Sequence, residues 1–351
     1  MIKVGIIGCG AIARAEHIPG LLALSDRCQI TGLYDASESS ILQTRALLPD
    51  VPSFDSVDAL LAAPGLDAVV VATPNLCHAE PTIAALKAGK HVLVEKPMAV
   101  LSQDALRMQE AAQESGKILQ VGLNFRFHGV TRFLDDFIAH GHMGDVQYAR
   151  AKCLRRRGVP NWGGFIDKSI NGGGPLIDLG VHILDLTLHL MGYPTPVSVS
   201  GATFDTLGKD PSVENFFGPY DRSKFSVEDF AVGFIRFANG ACVTLESSFM
   251  SNGEGDPYET QIYGTKAGAL VRPVGDPPLQ IFKELDGQFF TMSPARIPNV
   301  PRTHHAEVEA FIQAIQDGKP SPVPGSEGVI LTQILEAIYE SAATGREIRF
   351  G

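Results

Sequence analysis

The sequence predicts an α/β domain wound about a parallel sheet, followed by an α+β domain carrying a large, mainly antiparallel open sheet. Three observations carry this expectation. Up to about residue 122, short β-branched runs alternate with helical spacings closed by Gly or Pro, the pattern of crossovers between parallel strands. From about residue 123 the apolar runs lengthen and alternate with polar residues, as in antiparallel strands covered on one face. A chain of 351 residues is also longer than one core usually accommodates. The expected domains are therefore 1–122 and 123–351.

In the first, residues 2–7, 30–34, 68–72, 91–94 and 118–121 read as strands, and 11–24, 37–48, 75–87 and 102–115 as helices. The run 68–72 has no polar member and should be buried on both faces. Asn75, Ser102 and Asp104 suit helix starts, and Gly89 and Gly116 suit helix ends. Right-handed crossovers make such a sheet doubly wound. In the second, 146–154, 197–204, 229–237, 241–250, 258–263 and 279–283 read as strands, with helices at 175–191, 303–316 and 327–342. The Gly- and Pro-rich stretches 253–257, 273–278 and 294–301 read as loops, and no internal repeat is evident.

With 44% hydrophobic and 19% charged side chains the chain is an ordinary globular sequence, and its 36 Gly and 23 Pro fall short of low complexity. Its 39 acids against 29 bases give a net charge of −10, which opposes nonspecific binding to nucleic acid or anionic membrane and favours small-molecule partners. Cys9, Cys28, Cys77, Cys153 and Cys242 are odd in number and scattered without CxxC spacing, so they read as reduced thiols rather than a disulfide or zinc framework. No apolar run approaches a membrane span, and the first residues lack a signal-peptide core. A cytoplasmic protein is expected.

Gly8-Cys9-Gly10-Ala11-Ile12-Ala13 follows the first strand and opens a helix, in the GxGxxA form of the dinucleotide fingerprint. Gly8 permits the tight turn, Gly10 lets the backbone approach a pyrophosphate, Ala13 allows close helix–strand packing, and the turn through Ala11 and Ile12 presents N–H groups to the anion. Asp35 lies 22 residues beyond Ala13, at the end of the second strand, where a carboxylate binds a ribose 2′-OH and repels a 2′-phosphate. NAD is thereby favoured over NADP, although Arg45 on the next helix offers a cation. The other reading of Asp35 is an N-cap for that helix.

The 175–191 helix is apolar almost all round and should be buried. Its polar members are therefore informative. Asp178 and His182 stand four apart on one face, with Asp185 three further on, and buried polar groups must be hydrogen-bonded or carry a function. Oxidation of a carbinol needs a group to take the hydroxyl proton as hydride leaves, and imidazole titrates in the right range. His182 suits that base, with Asp178 orienting it or binding a neighbouring hydroxyl. Lys96, at the end of the 91–94 strand, would stabilise the developing alkoxide or share the proton relay. Asp185 and His189 read as holding the helix. A satisfied core Asp–His pair and an ion-paired lysine are the plainer alternatives.

Thr73-Pro74-Asn75, His78, the run from Gly89 to Glu95-Lys96-Pro97, and Gly172-Gly173-Gly174-Pro175 leading to Asp178-Leu179-Gly180-Val181-His182-Ile183-Leu184-Asp185 occur in that order. With the glycine fingerprint, they make the chain resemble, essentially end to end, the family of glucose-fructose oxidoreductase, inositol dehydrogenase and MocA. The resemblance implies a Rossmann domain, then a domain whose large open sheet often forms a homodimer or homotetramer interface. It implies nicotinamide-dependent chemistry at a carbon of a sugar or cyclitol, with Lys96, Asp178 and His182 as catalytic positions. Thr73, Asn75, His78 and Glu95 would line the cofactor cleft, Asn75 having helix capping as its alternative. Asn124 and Arg126 would be the family's Asn-x-Arg near nicotinamide and substrate, or Arg126 a surface ion pair.

Arg155-Arg156-Arg157 through Trp162 reads as a substrate loop, Trp162 stacking on a sugar face and an arginine such as Arg156 holding hydroxyls or an anionic group, or as a solvated strand end. His304-His305 with Glu307 and Glu309 lacks HExxH spacing, so no metal is expected. The leading expectation is an NAD-dependent sugar or cyclitol dehydrogenase, with Lys96 facing Asp178 and His182 across the domain junction. The alternatives are a glycosidase that oxidises its sugar transiently with bound NAD before eliminating the aglycone, and a nicotinamide-binding regulator without turnover.

Overall fold

Residues 1–253 and 255–351 are described by the computed structural model, and they divide into two units. One is Met1–Asn124 with Pro301–Thr332; the other is Phe125–Val300 with Gln333–Gly351.

The first unit is built on five parallel strands, β1 Ile2–Ile7, β2 Cys28–Tyr34, β3 Ala68–Val71, β4 His91–Glu95 and β5 Leu119–Gly122, in the order β2-β1-β3-β4-β5. Every residue of β3 is buried, as an all-apolar central strand requires. Outside β2, Leu33 makes a lone parallel bridge to Ser53. Counting that bridge as a vestigial strand gives the six-position order of a Rossmann sheet, with its switch point between β1 and β3. The segment after Gly10 is not one regular helix: a π turn, Ala13–His17, precedes an α segment, Ile18–Leu22. Residues 75–87 also divide, into a 3₁₀ turn Asn75–Cys77 and a helix Ala79–Lys87. Helix Ser102–Ser115 has the expected bounds and ends on Gly116 at φ 63°, the left-handed residue that terminates many helices.

One boundary changes. Residues 301–332 were expected in the second domain, yet helix Thr303–Asp317 buries Val308, Phe311 and Ile312 in the same core as Ile6, Ile18 and Leu21. The chain after it also covers the β5 edge: Val121 N–H donates to Val323 O at 3.1 Å, and the Ser321 hydroxyl donates to Gln120 Oε1 at 2.8 Å. A sheet edge left bare is a pairing hazard, and this return segment removes it.

The second unit carries β6 Val146–Leu154, β7 Pro196–Phe204, β8 Phe230–Phe237, β9 Cys242–Ser248, β10 Tyr258–Gly264, β11 Gly268–Val271, β12 Leu279–Leu285, β13 Gln288–Met292 and β14 Ile348–Arg349. They form one sheet, β13-β12-β11-β10-β6-β9-β8-β7-β14. Within this sheet, among the described residues, only β6 and β9 pair in parallel. Helix Val181–Leu190 packs on β6 and β10, and helix Gly129–Ala139 packs on it in turn. The other face is left half-exposed by Phe230, Val232 and Phe234 of β8. Among the described residues no helix is long and apolar enough to cross a membrane.

Candidate functional site

In the first unit the site begins where β1 ends. Gly8 adopts φ +94°, and a Cβ there would stand 2.5 Å from the Ala72 carbonyl, so the turn accepts only glycine. A Cβ on Gly10 would meet nothing within 4 Å, leaving its backbone open to a ligand, and Ala13 is fully buried behind it. These glycines border a cavity of about 850 Å³ that also touches Asp35, Asp58, Thr73 and Glu80, a size typical of ligand pockets. The open turn, the cavity and the strand-end acid fit a dinucleotide.

Asp35 braces this turn. Its carboxylate accepts the Cys9 and Ser37 N–H groups, each at 2.7 Å. It is not the helix cap: Ser37 caps Glu38–Arg45, its hydroxyl accepting the Ser40 N–H at 3.3 Å. Arg45 donates to Ser53 Oγ at 3.0 Å, and among the described residues no Lys or Arg lines the cavity. Asn75 does not cap Ala79–Lys87, whose N-cap is His78. Thr73 lines the cavity, but His78 is buried behind it, its ring nitrogens 2.8 Å from Pro97 O and Thr73 O. Burial pushes the His78 pKa down.

Glu95 closes β4 and Lys96 follows it, with the Lys96–Pro97 peptide cis. Glu95 is buried rather than exposed to the cavity. One of its oxygens lies 2.6 Å from His17 Nε2, and the other accepts the Lys96 N–H at 3.1 Å. Burial raises the Glu95 pKa, but the His17 hydrogen bond and the charges of His17, Lys96 and His304 outweigh it and hold the carboxyl at about 2. Asn124 is buried too; its amide donates to Thr303 Oγ1 at 2.9 Å while its Oδ1 has no hydrogen-bond partner.

In the second unit the triglycine feeds the helix that carries Asp178 and His182. A Cβ on Gly173 or Gly174 would collide with the Tyr339 hydroxyl or the Glu228 backbone carbonyl. The buried Glu228 carboxylate accepts Gly174 N–H at 2.9 Å, Leu176 N–H at 3.1 Å and the Tyr339 hydroxyl at 2.8 Å, satisfying N–H groups that a helix start leaves over. Burial pushes the Glu228 pKa up despite these bonds. The helix opens as a π turn, Leu176–Gly180, before the α segment Val181–Leu190; such turns are rare and recur at functional sites. Asp178 sits buried in the π turn, and half-buried His182 stacks on Phe125 at 4.9 Å.

Two readings of basic residues are corrected. Arg126 is not a surface ion pair: it is buried, its Nε 3.0 Å and its Nη2 2.6 Å from Asp185 oxygens, with Tyr193 closing the cluster. Its charge is thereby committed to the core. Asp185 does hold the helix, and His189 pairs with Asp135 at 2.9 Å. Of the three consecutive arginines, Arg156 is exposed and fixed through its backbone N–H to Asp256, while Arg155 is built in, its Nε donating to Tyr258 Oη at 2.8 Å. Trp162 is half-exposed beside Phe217 at 5.5 Å. His17, Glu228 and Tyr258 escaped the sequence reading. Only His17, a titratable residue on the helical segment that the glycine turn opens, left a signal there. Among the described residues no group of three or more His, Cys, Asp or Glu could hold a metal ion.

Residues 2–123 match the family model described as oxidoreductase family, NAD-binding Rossmann fold, and residues 136–350 match its C-terminal alpha/beta domain. The chain is 35% identical to D-glucoside 3-dehydrogenase of Escherichia coli over 99% of its own length and 97% of the relative's. It is 28% identical to the NADP-dependent scyllo-inositol 2-dehydrogenase of Bacillus subtilis, over 99% and 95% of the two chains. Levoglucosan dehydrogenase, solved with NADH, superposes with a TM-score of 0.85 at 24% identity, covering 100% of this chain and 99% of that one.

Proposed function

The chain belongs to the GFO_IDH_MocA oxidoreductase family, and on that premise we propose that it oxidises a secondary hydroxyl of a sugar or cyclitol with NAD. The observation that carries this is the glycine turn over its 850 Å³ cavity, together with a polar stripe on a buried helix that begins in a π turn. Bound nicotinamide would supply the two-electron acceptor. Gly10, Ala11 and Ile12 hold the pyrophosphate with backbone N–H groups, Gly8 makes the turn that presents them, its own N–H donating to Tyr34 O at 2.8 Å, and Asp35 takes the adenosine ribose. Thr73, Asn75 and Asn124 hold the rest of the cofactor.

His182 takes the proton of the reacting hydroxyl, Asp178 binds the hydroxyl beside it, and Lys96 steadies negative charge on the reacting oxygen. Stacking on Phe125 fixes the imidazole plane, and Glu228 fixes the turn from which Asp178 projects. His78 and Glu95 support the cofactor side from behind, through Thr73 and through the Lys96 backbone. NAD is preferred to NADP because Asp35, Asp58 and Glu80 line the cavity while, among the described residues, no lysine or arginine does, so a 2′-phosphate would meet like charge. The half-exposed face of the large sheet joins subunits into a homodimer or homotetramer, and the protein acts in the cytoplasm on small molecules rather than nucleic acid.

The test is NADH formation at 340 nm across a panel of sugars, glycosides and cyclitols. Lys96→Ala and His182→Ala should each lower kcat by about 10²-fold or more; full activity in both would overturn these assignments. Stoichiometric NADH also excludes transient-oxidation glycosidase chemistry, in which the cofactor returns to its starting state.

A further inference from the structure

We propose that the substrate is a glycoside whose aglycone is itself a ring, either a second sugar or an aromatic group, seated on an aromatic platform formed by Trp162 and Phe217. The proposal rests on the sugar oxidation set out above and adds the part of the substrate that does not react.

Three large aromatic side chains stand exposed together on the loops after β6 and before β8: Trp162 at 53%, Phe216 at 72% and Phe217 at 41%. Contiguous exposed apolar surface marks a binding site more often than an accident of folding. The loops are fastened. Asn215 accepts the Val159 N–H and donates to Val159 O, both at 2.9 Å, and Phe216 N–H donates to Arg157 O at 2.9 Å. Arg222 adds bonds to Gly208 O and the Tyr220 hydroxyl. Ordering these loops costs conformational entropy, yet it leaves the aromatic faces in water.

The platform continues from the site already described. The π turn that bears Asp178 packs on β6 and β9: the Ser247 hydroxyl donates to Pro175 O at 2.7 Å, the next residue, Ser248, accepts the Arg155 N–H at 2.9 Å, and Arg155 Nε donates to Tyr258 Oη at 2.8 Å. The Arg155 guanidinium lies 5.3 Å from the Phe217 ring centroid and 5.8 Å from that of Phe249, and Phe217 meets Trp162 at 5.5 Å. Contacts thus run in succession from the π turn through Ser247, Ser248, Arg155 and Phe217 to Trp162. A single monosaccharide engaged at Asp178 leaves the outer end of this series unused, whereas a glycoside directs its aglycone along it. The chemistry of the surface agrees: flat faces over a guanidinium already turned to Tyr258 and Gly158 O favour ring stacking over recognition of an anion.

The chain has one tryptophan, so its fluorescence, excited at 295 nm, reports on the platform whether or not turnover occurs. Titration of the NAD-loaded protein with phenyl β-D-glucopyranoside or cellobiose should give a saturable change, and methyl β-D-glucopyranoside should need at least about tenfold more ligand or give none. In rate assays the phenyl-to-methyl ratio of kcat/KM should exceed about ten and fall toward one in Phe217→Ala. Equal binding of all three ligands, no fluorescence change with the two ring aglycones, or a ratio unmoved in Phe217→Ala would each overturn the proposal. So would loss of subunit association in Phe217→Ala with equal loss on both substrates, which would make the patch a contact between copies. A saturable change with no NADH from any ligand would uphold the platform and sink the oxidation reading instead.

Discussion

Replacing Arg126 with leucine separates a structural cation from a ligand-binding one. The guanidinium makes three contacts to Asp185 between 2.6 and 3.2 Å, the Tyr193 hydroxyl donates to the same carboxylate at 2.5 Å, and the paired side chains are only 4% and 0% exposed. Removing one partner of a buried pair strands the other charge and costs about 3–5 kcal/mol. In a unit of about 200 residues, each kcal/mol lowers the melting temperature by about 2–4 °C, so a fall of about 6–20 °C is expected. Combining Arg126→Leu with Asp185→Leu should recover most of the loss, because an apolar pair of similar volume is often no less stable than the ions. Scanning calorimetry is the suitable assay, since two units need not melt together. An unchanged melting temperature with a raised KM for sugar would refute this reasoning and return the guanidinium to the substrate.

Glu95→Gln should flatten the acid limb of stability. The folded carboxyl titrates at about 2 against 4.5 when unperturbed, so its contribution of about 3 kcal/mol is present above pH ~4.5 and lost as pH falls toward 2; urea midpoints for the two proteins that run parallel across that window would contradict it. Gly8→Ala forces a Cβ against the Ala72 carbonyl at positive φ and should weaken NAD binding at least about tenfold by calorimetric titration, whereas an unaltered Kd would show that the turn can move aside. Asp35→Ser should raise the NADP-to-NAD ratio of kcat/KM about tenfold while weakening NAD itself, because Cys9 and Ser37 lose their shared acceptor; a constant ratio would place cofactor choice elsewhere.

Local chemistry decided which parts of the fold could be read from the sequence. Strand β1 and helix Ser102–Ser115 have their expected bounds because a β-branched run stopped by glycine, and an amphipathic run stopped by Gly116, define themselves. Strand β13 was not foreseen: its residues are mostly exposed, so no alternation marks them. The π turns at Ala13–His17 and Leu176–Gly180 were hidden as well, since composition sets a helix and long-range packing sets its pitch. In the candidate site, Gly8, Gly10 and Asp35 were legible because a motif places all three within one β-α-β unit. The roles of Arg126 and Glu228 were not, as their partners lie 59 residues away at Asp185 and 54 away at Gly174. No local window joins such pairs.

The return of Pro301–Thr332 to the first unit bears on how the protein is made. A ribosome releases β1 to β5 early, but the core around Ile18 and Leu21 lacks Val308, Phe311 and Ile312 until synthesis has run on through Ile312. At about 5–20 residues per second, that interval is about 10–40 s. The second unit waits as well, because β14 must pair with β7. The first unit cannot finish until residues 125–300 of the other have been synthesised, so this chain lacks the head start that N-terminal domains usually enjoy. A transcript that stops near codon 300 would yield two unfinished cores rather than one finished domain and one tail.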